Sequence, residues 1–172
     1  MRIGLAGTMS VGKTTLAKAL GETDYFKDHN VQTERSKYLN SLGIPLNTDS
    51  TLRGQFVFLA ERASELLCDN IITDRTIWDV CSFTLSAKSI NDWEKRAFVE
   101  AAMYLRDYYD VVVYVSPRGV PVEDNGIRTT DLVYRLKIDA AIKMALEEYK
   151  PKKLIEVEGT TEERIATILQ NI

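Results

Sequence analysis

The chain has 172 residues, of which 45% are hydrophobic and 27% charged, with a net charge of −3. This fits one globular domain, able to bury about two-thirds of its unfolded surface without disulfides or metal staples. The acidic balance lacks the footprint of a dedicated nucleic-acid binder, and no apolar run approaches the roughly 20 residues of a membrane span.

Short apolar runs alternate with longer helical stretches, the pattern of an α/β domain with a parallel sheet. The first strand is Arg2 to Ala6, followed by the loop Gly7–Gly12 and a helix from Lys13 to about Leu20. A strand over Val31–Thr33 leads into a helix over Glu34–Leu42, which Gly43, Pro45 and Asn47 break. Asp49 is the expected N-cap of a long helix ending near Cys68. Its apolar positions Leu52, Phe56, Leu59, Ala63 and Leu67 recur at three- and four-residue intervals.

Ile71–Thr73 is a strand that delivers Asp74 at its C-terminal end, before a helix from about Ile77 to Ser86. The next helix runs from Asn91 to Tyr108 and opens with Asn91 and Glu94 at capping-box spacing. Val111–Val115 is apolar throughout, as a central parallel strand requires. Residues 116–130 mix prolines, glycines, arginines and acids and read as a loop. A helix over Asp131–Tyr149, a strand over Lys153–Val157 and a last helix capped by Thr160 and Glu163 complete the chain. No repeat or linker divides it. The expected architecture is a doubly wound, five-stranded parallel sheet with ligands at the C-terminal strand ends.

Gly7-Thr8-Met9-Ser10-Val11-Gly12-Lys13-Thr14 matches G-x-x-x-x-G-K-[ST] in full, between a strand and a helix. Its backbone N–H groups and the helix N-terminus can cradle phosphate oxygens. The motif implies ATP, with GTP possible, held by Gly7, Ser10, Val11, Gly12, Lys13, Thr14 and Thr15. Lys13 is expected at the β- and γ-phosphates, and the Thr14 hydroxyl on Mg²⁺.

Transfer of the γ-phosphate needs more: an acid near the metal, an acceptor pocket and a means of excluding water. Asp74 is the first choice for metal shell or base, with Glu34 the alternative base. Arg75 can fork onto an acceptor phosphate or the transferred group. A surface Asp–Arg pair capping a helix is the plainer alternative.

Asp74-Arg75-Thr76-Ile77-Trp78-Asp79 resembles the D-R-[ST]-x-x-D segment of P-loop nucleoside and nucleotide kinases, nearest the ribosylnicotinamide-kinase-like group with an AAA-type ATPase domain. Thr33-Glu34-Arg35 resembles that family's E-R helix start, and Gln55 matches a glutamine that faces the acceptor base in related deoxynucleoside kinases. Glu123-Asp124-Asn125-Gly126-Ile127-Arg128 resembles the acidic–Gly–Arg lid segment. The resemblance implies a three-layer α/β/α P-loop NTPase fold over residues 1–172 with a lid at about 117–130.

Arg128 is the favoured closing arginine, with Arg118 beside it and Arg135 behind. Arg35 pairs with acceptor phosphate or solvates its helix; Gln55 can hydrogen-bond a base edge, and Phe56 or Phe58 can stack on the base, although phenylalanines at helical spacing are more often core. Arg53 and Arg62 extend that polar edge. The resulting expectation is ATP- and Mg²⁺-dependent phosphoryl transfer to a nucleoside, a nucleoside monophosphate or a similar small acceptor. A kinase of polynucleotide ends or of modified bases in DNA, and a regulatory NTPase, are the alternatives. Nucleic acid is possible but not favoured as a partner, and the oligomeric state is not legible.

The absence of a signal peptide points to the cytoplasm, or a host's cytoplasm if viral. Cys68 and Cys81 fit no metal motif and are expected as small buried hydrophobes. His29 is expected exposed and without a role. Tyr104, Tyr108 and Tyr109 are expected in the core or at its rim.

Overall fold

The computed structural model describes residues 1–120 and 131–172. Five strands form one parallel sheet: β1 (Arg2–Ala6), β2 (Asn30–Gln32), β3 (Ile71–Thr73), β4 (Val111–Val115) and β5 (Leu154–Val157). They lie in the order β2-β3-β1-β4-β5. Ile3 is in register with Ile72 on one side and Val111 on the other, and Val113 with Ile155. The chain leaves β1 toward one edge and returns through β4 toward the other. That reversal opens a crevice at the C-terminal end of β1, where such sheets bind ligands.

Helices cover both faces. On one side lie α1 (Lys13–Gly21) and α7 (Thr161–Gln170), over a core of Leu5, Leu16, Leu20, Phe26 and Ile168. On the other lie α2 (Ser36–Ser41), α3 (Leu52–Glu65), α4 (Ile77–Ser86), α5 (Asp92–Met103) and α6 (Leu132–Glu148). Nine of the ten α4 residues are buried, because α3, α5 and α6 all pack against it. This is why Ile77-Trp78-Asp79-Val80-Cys81 shows no polar face. Trp78 fills the centre against Tyr109, ring centroids 5.4 Å apart, and donates its indole N–H to the Tyr149 carbonyl.

Several boundaries differ from the sequence reading. Asp49 falls in a 3₁₀ turn, Asn47–Asp49, and Thr51 caps α3 by accepting the Gly54 N–H at 3.2 Å. The α2 helix starts at Ser36 because the Glu34 carboxylate accepts the Ser36 N–H, at 2.9 Å. The α5 helix ends at Met103, and a separate 3₁₀ turn, Arg106–Tyr108, carries the chain to β4. Only Tyr109 of the three tyrosines is in the core; Tyr104 and Tyr108 are exposed. Cys81 is buried as expected, but Cys68 lies exposed beyond the end of α3. His29 is half-buried, edge-on to Phe26 with centroids 5.0 Å apart. Among the described residues, no helix is long and apolar enough to cross a membrane.

Candidate active site

The β1–α1 loop takes its shape from backbone requirements. Gly7 holds φ 152°, and a Cβ there would meet the Val115 carbonyl oxygen at 2.7 Å. Gly12, at φ 83°, turns the chain into α1. The carbonyl oxygens that this turn directs away from its mouth are taken by two buried arginines. Arg135 of α6 donates to Met9 and Ser10 at 3.2 Å each, and to Val120 at 2.8 Å. Arg164 of α7 donates to Val11 at 2.8 Å. The loop's shape is thus held before any ligand arrives.

The Lys13 ammonium donates to the Gly7 and Thr8 carbonyls at 2.5 and 2.8 Å. Burial lowers its pKa; Asp79, 4.0 Å away, and Asp74 oppose that shift. Thr14 donates its hydroxyl hydrogen to the Asp74 carboxylate, tying the start of α1 to the end of β3. Burial raises the Asp74 pKa, against the pull of Lys13 and the Thr14 hydrogen bond. Parallel pairing of β1 with β3 makes this junction possible, since both strands run toward the same end of the sheet, with Thr73 in register with Gly4.

A cavity of about 300 Å³ opens above these groups. The loop residues Ser10–Thr15 are part of its lining, and so are Glu34, Gln55, Phe58, Asp74, Arg75 and Phe83. Arg75 lies 3.3 Å from Glu34, with its guanidinium over the rings of Phe83 (4.9 Å) and Phe58 (5.6 Å). Gln55 is 3% exposed, although it sits on an outer helix.

Other expected site residues lie elsewhere. Arg35 turns away from the cavity lining, over the Tyr38 ring at 4.6 Å and 3.6 Å from Glu61. Arg118 is exposed and pairs with Glu158 at 3.4 Å. Arg53 lines a separate groove with Leu42 and Pro45. Arg62 is buried against Glu65, not at a cleft edge. Phe56 packs on Phe98 and leaves Phe58 as the cavity's aromatic wall from α3. Arg128 and the acidic–Gly–Arg segment lie outside the described residues.

Two groups at the loop had weaker sequence signals. Thr76 and Asp79 form a capping box, a T-x-x-D spacing visible inside the D-R-[ST] segment. Arg164 stands one turn before Ile168 on the buried face of α7, and nothing in its pattern marks it as a loop ligand.

Thr14 and Asp74 fit a Mg²⁺ site. Their oxygens already share a hydrogen, and Mg²⁺ commonly takes one or two protein oxygens and completes its shell from phosphates and water. Among the described residues, no cluster of three or more His, Cys, Asp or Glu side chains could hold a metal alone.

Sheet order, loop and cavity together define a P-loop nucleoside-triphosphate-binding domain of nucleotide-kinase-like fold. The chain belongs to the AAA domain family, whose model matches residues 2–164. Its fold is similar to that of deoxyadenosine kinase from M. mycoides with bound dCTP, at TM-score 0.66 and 17% identity, covering 99% of this chain and 97% of that one. The same kinase with products dCMP and a flexible dCDP gives 0.64 and 16%, with the same coverage. The YorR protein from Bacillus subtilis, in complex with phosphorylated GDP, gives 0.59 and 17%, covering 99% and 94%. Comparison with curated protein sequences gives no match.

Proposed function

We propose that this protein transfers the γ-phosphate of ATP to a hydroxyl of a nucleoside or a similar small acceptor. The observation that carries this reading is one cavity lined both by the phosphate loop and by Glu34, Gln55, Phe58 and Arg75. A domain that only binds and signals has no need of an acceptor-sized extension lined by a carboxylate, an amide and an aromatic face. The fold of a deoxyadenosine kinase, similar over 99% of this chain, supports the same assignment.

In this reading the phosphate-loop N–H groups and Lys13 hold the donor phosphates. Thr14 and Asp74 hold Mg²⁺, which when bound neutralises phosphate charge. Asp74 shares its carboxylate with Thr14, so the base is assigned to Glu34, which lines the acceptor end. Glu34 takes the proton of the acceptor hydroxyl as its oxygen attacks the γ-phosphorus and the bond to ADP breaks. Arg75 orients the acceptor beside Glu34, Gln55 hydrogen-bonds a base edge, and Phe58 supplies the face on which the base lies. Arg128 lies outside the described residues, and its part in stabilising the transferred group rests on the sequence resemblance alone.

The test is incubation with Mg·ATP and a panel of nucleosides, deoxynucleosides, their monophosphates and nicotinamide riboside, with products resolved by mass. A nucleoside or nicotinamide riboside gaining one phosphoryl group, lost in Lys13→Ala, supports the assignment and names the acceptor, whereas a product formed only from a monophosphate overturns the hydroxyl acceptor. ATP binding with no phosphorylated product removes it in favour of a DNA acceptor or a regulatory NTPase.

A further inference from the structure

Asp79 is fully buried, and the transfer described above gives it no step. Its Oδ1 accepts the Gly7 N–H at 3.0 Å and lies 4.0 Å from the Lys13 ammonium. Its Oδ2 accepts the Thr76 N–H at 2.9 Å and the Thr76 hydroxyl at 2.6 Å. Three hydrogen-bond donors therefore converge on one carboxylate, with the Lys13 ammonium beside them. A carboxyl group suits that role, since its two oxygens can face two segments of the chain at once.

The peptide that Asp79 holds is the one joining Arg75 to Thr76. Arg75 has φ 143°, a backbone conformation costly for any residue with a side chain, and such strain persists only where neighbours over-determine it. Here they do. The Arg75 carbonyl accepts the Thr73 hydroxyl at 3.1 Å, and the N–H on the other side of the same peptide goes to Asp79. This backbone carries the Arg75 guanidinium to Glu34 and the rings of Phe58 and Phe83.

A helix cap alone accounts for only half of this. The capping boxes of α5 (Asn91, Glu94) and α7 (Thr160, Glu163) are exposed and serve their own helix ends. Only Oδ2 of Asp79 is needed for the α4 cap. Its Oδ1 reaches across to the first N–H of the phosphate loop and to Lys13.

We propose that Asp79 is a positioning residue which fixes the phosphate loop and Lys13 on one side and the Arg75 peptide on the other, so that donor and acceptor ends of the cavity keep one spacing. The proposal rests on the kinase reading for its acceptor half. Its donor half stands on nucleotide binding alone.

The experiment compares Asp79→Asn, Thr76→Val and Thr76→Ser with the parent protein. Mg·ATP affinity is measured by calorimetry without acceptor, then kcat and acceptor KM with the acceptor found in the panel. Asp79→Asn brings an amide N–H₂ among donors, and is expected to weaken ATP about tenfold and to lower kcat about 100-fold, the scale of a misplaced reacting pair. Thr76→Val leaves the Gly7 bond intact, so ATP affinity stays within about twofold while kcat falls and acceptor KM rises, and Thr76→Ser restores both. Parental ATP affinity and turnover in Asp79→Asn overturn the proposal. So does a Thr76→Val that loses thermal stability with unchanged kinetics, which is the signature of a cap and nothing more. If Asp79→Asn does not fold, the Thr76 pair decides. If the parent phosphorylates no acceptor, the kinase reading fails, while the ATP affinity of Asp79→Asn still tests the tie to the loop.

Discussion

Glu34 and Arg75 lie 3.3 Å apart on the cavity wall, the first supplied by the segment after β2 and the second by the turn after β3. Because β2 and β3 are paired in parallel, their following residues emerge side by side. In the proposed function this pair serves the acceptor and Thr14 with Asp74 the donor, and the two acids can be separated by experiment.

Glu34→Gln is expected to lower kcat by about 100-fold or more, the usual contribution of a general base, with Mg·ATP affinity unchanged. Asp74→Asn is expected to weaken Mg·ATP binding and its Mg²⁺ dependence. Steady-state kinetics across a Mg²⁺ titration check both. A Glu34→Gln enzyme at parental kcat returns the base to Asp74.

Gln55 is 3% exposed and lines the cavity, where its amide offers both a donor and an acceptor to a base edge. Gln55→Leu is expected to raise the KM of the preferred nucleoside at least about tenfold and to narrow its margin over nucleosides with other bases. ATP affinity stays at the parental level. Competition between nucleosides, read as ratios of kcat/KM, checks this.

Much of this arrangement is written locally in the chain. Gly7–Thr14 carries its own loop signal, and the apolar runs of β1, β3 and β4 mark those strands, since each signal needs only neighbouring residues, whereas β2, Asn30–Gln32, has a single apolar residue. The Thr160 and Glu163 box is likewise local. What the sequence conceals is pairing between distant elements. Arg135 and Arg164 reach the phosphate-loop carbonyls from α6 and α7 across more than 120 positions. Arg62 looks like a polar edge by helical spacing, yet α3 packs against α4 and Arg62 is buried, which is tolerated through Glu65 and Glu61. Arg35 follows Glu34 directly, and consecutive residues at a helix start face different ways, so only one of the two reaches the cavity.

The Arg62–Glu65 pair gives a stability prediction. Arg62 is 1% exposed, and removing it leaves the Glu65 carboxylate, itself pushed up by burial, without its main partner. Arg62→Ala is expected to destabilise the protein by about 3–5 kcal/mol. Urea unfolding of the two proteins at neutral pH measures the difference.

The two thiols should differ. Cys68 is exposed, whereas burial pushes the Cys81 thiol up to about 12. Only the thiolate reacts with alkylating agents. Native protein treated with iodoacetamide at neutral pH is expected to gain one adduct at Cys68 and a second at Cys81 only after denaturation, as read by peptide mass.

The central claim is that donor and acceptor meet in one cavity, and the fate of the γ-phosphate tests it most directly. ATP labelled at the γ-position is incubated with the protein, Mg²⁺ and a deoxynucleoside mixture, and label is partitioned between nucleotide product and inorganic phosphate. The account predicts label in a nucleoside monophosphate, in excess over inorganic phosphate and abolished by Lys13→Ala. Label appearing only as inorganic phosphate, at a rate indifferent to the deoxynucleosides, would contradict it.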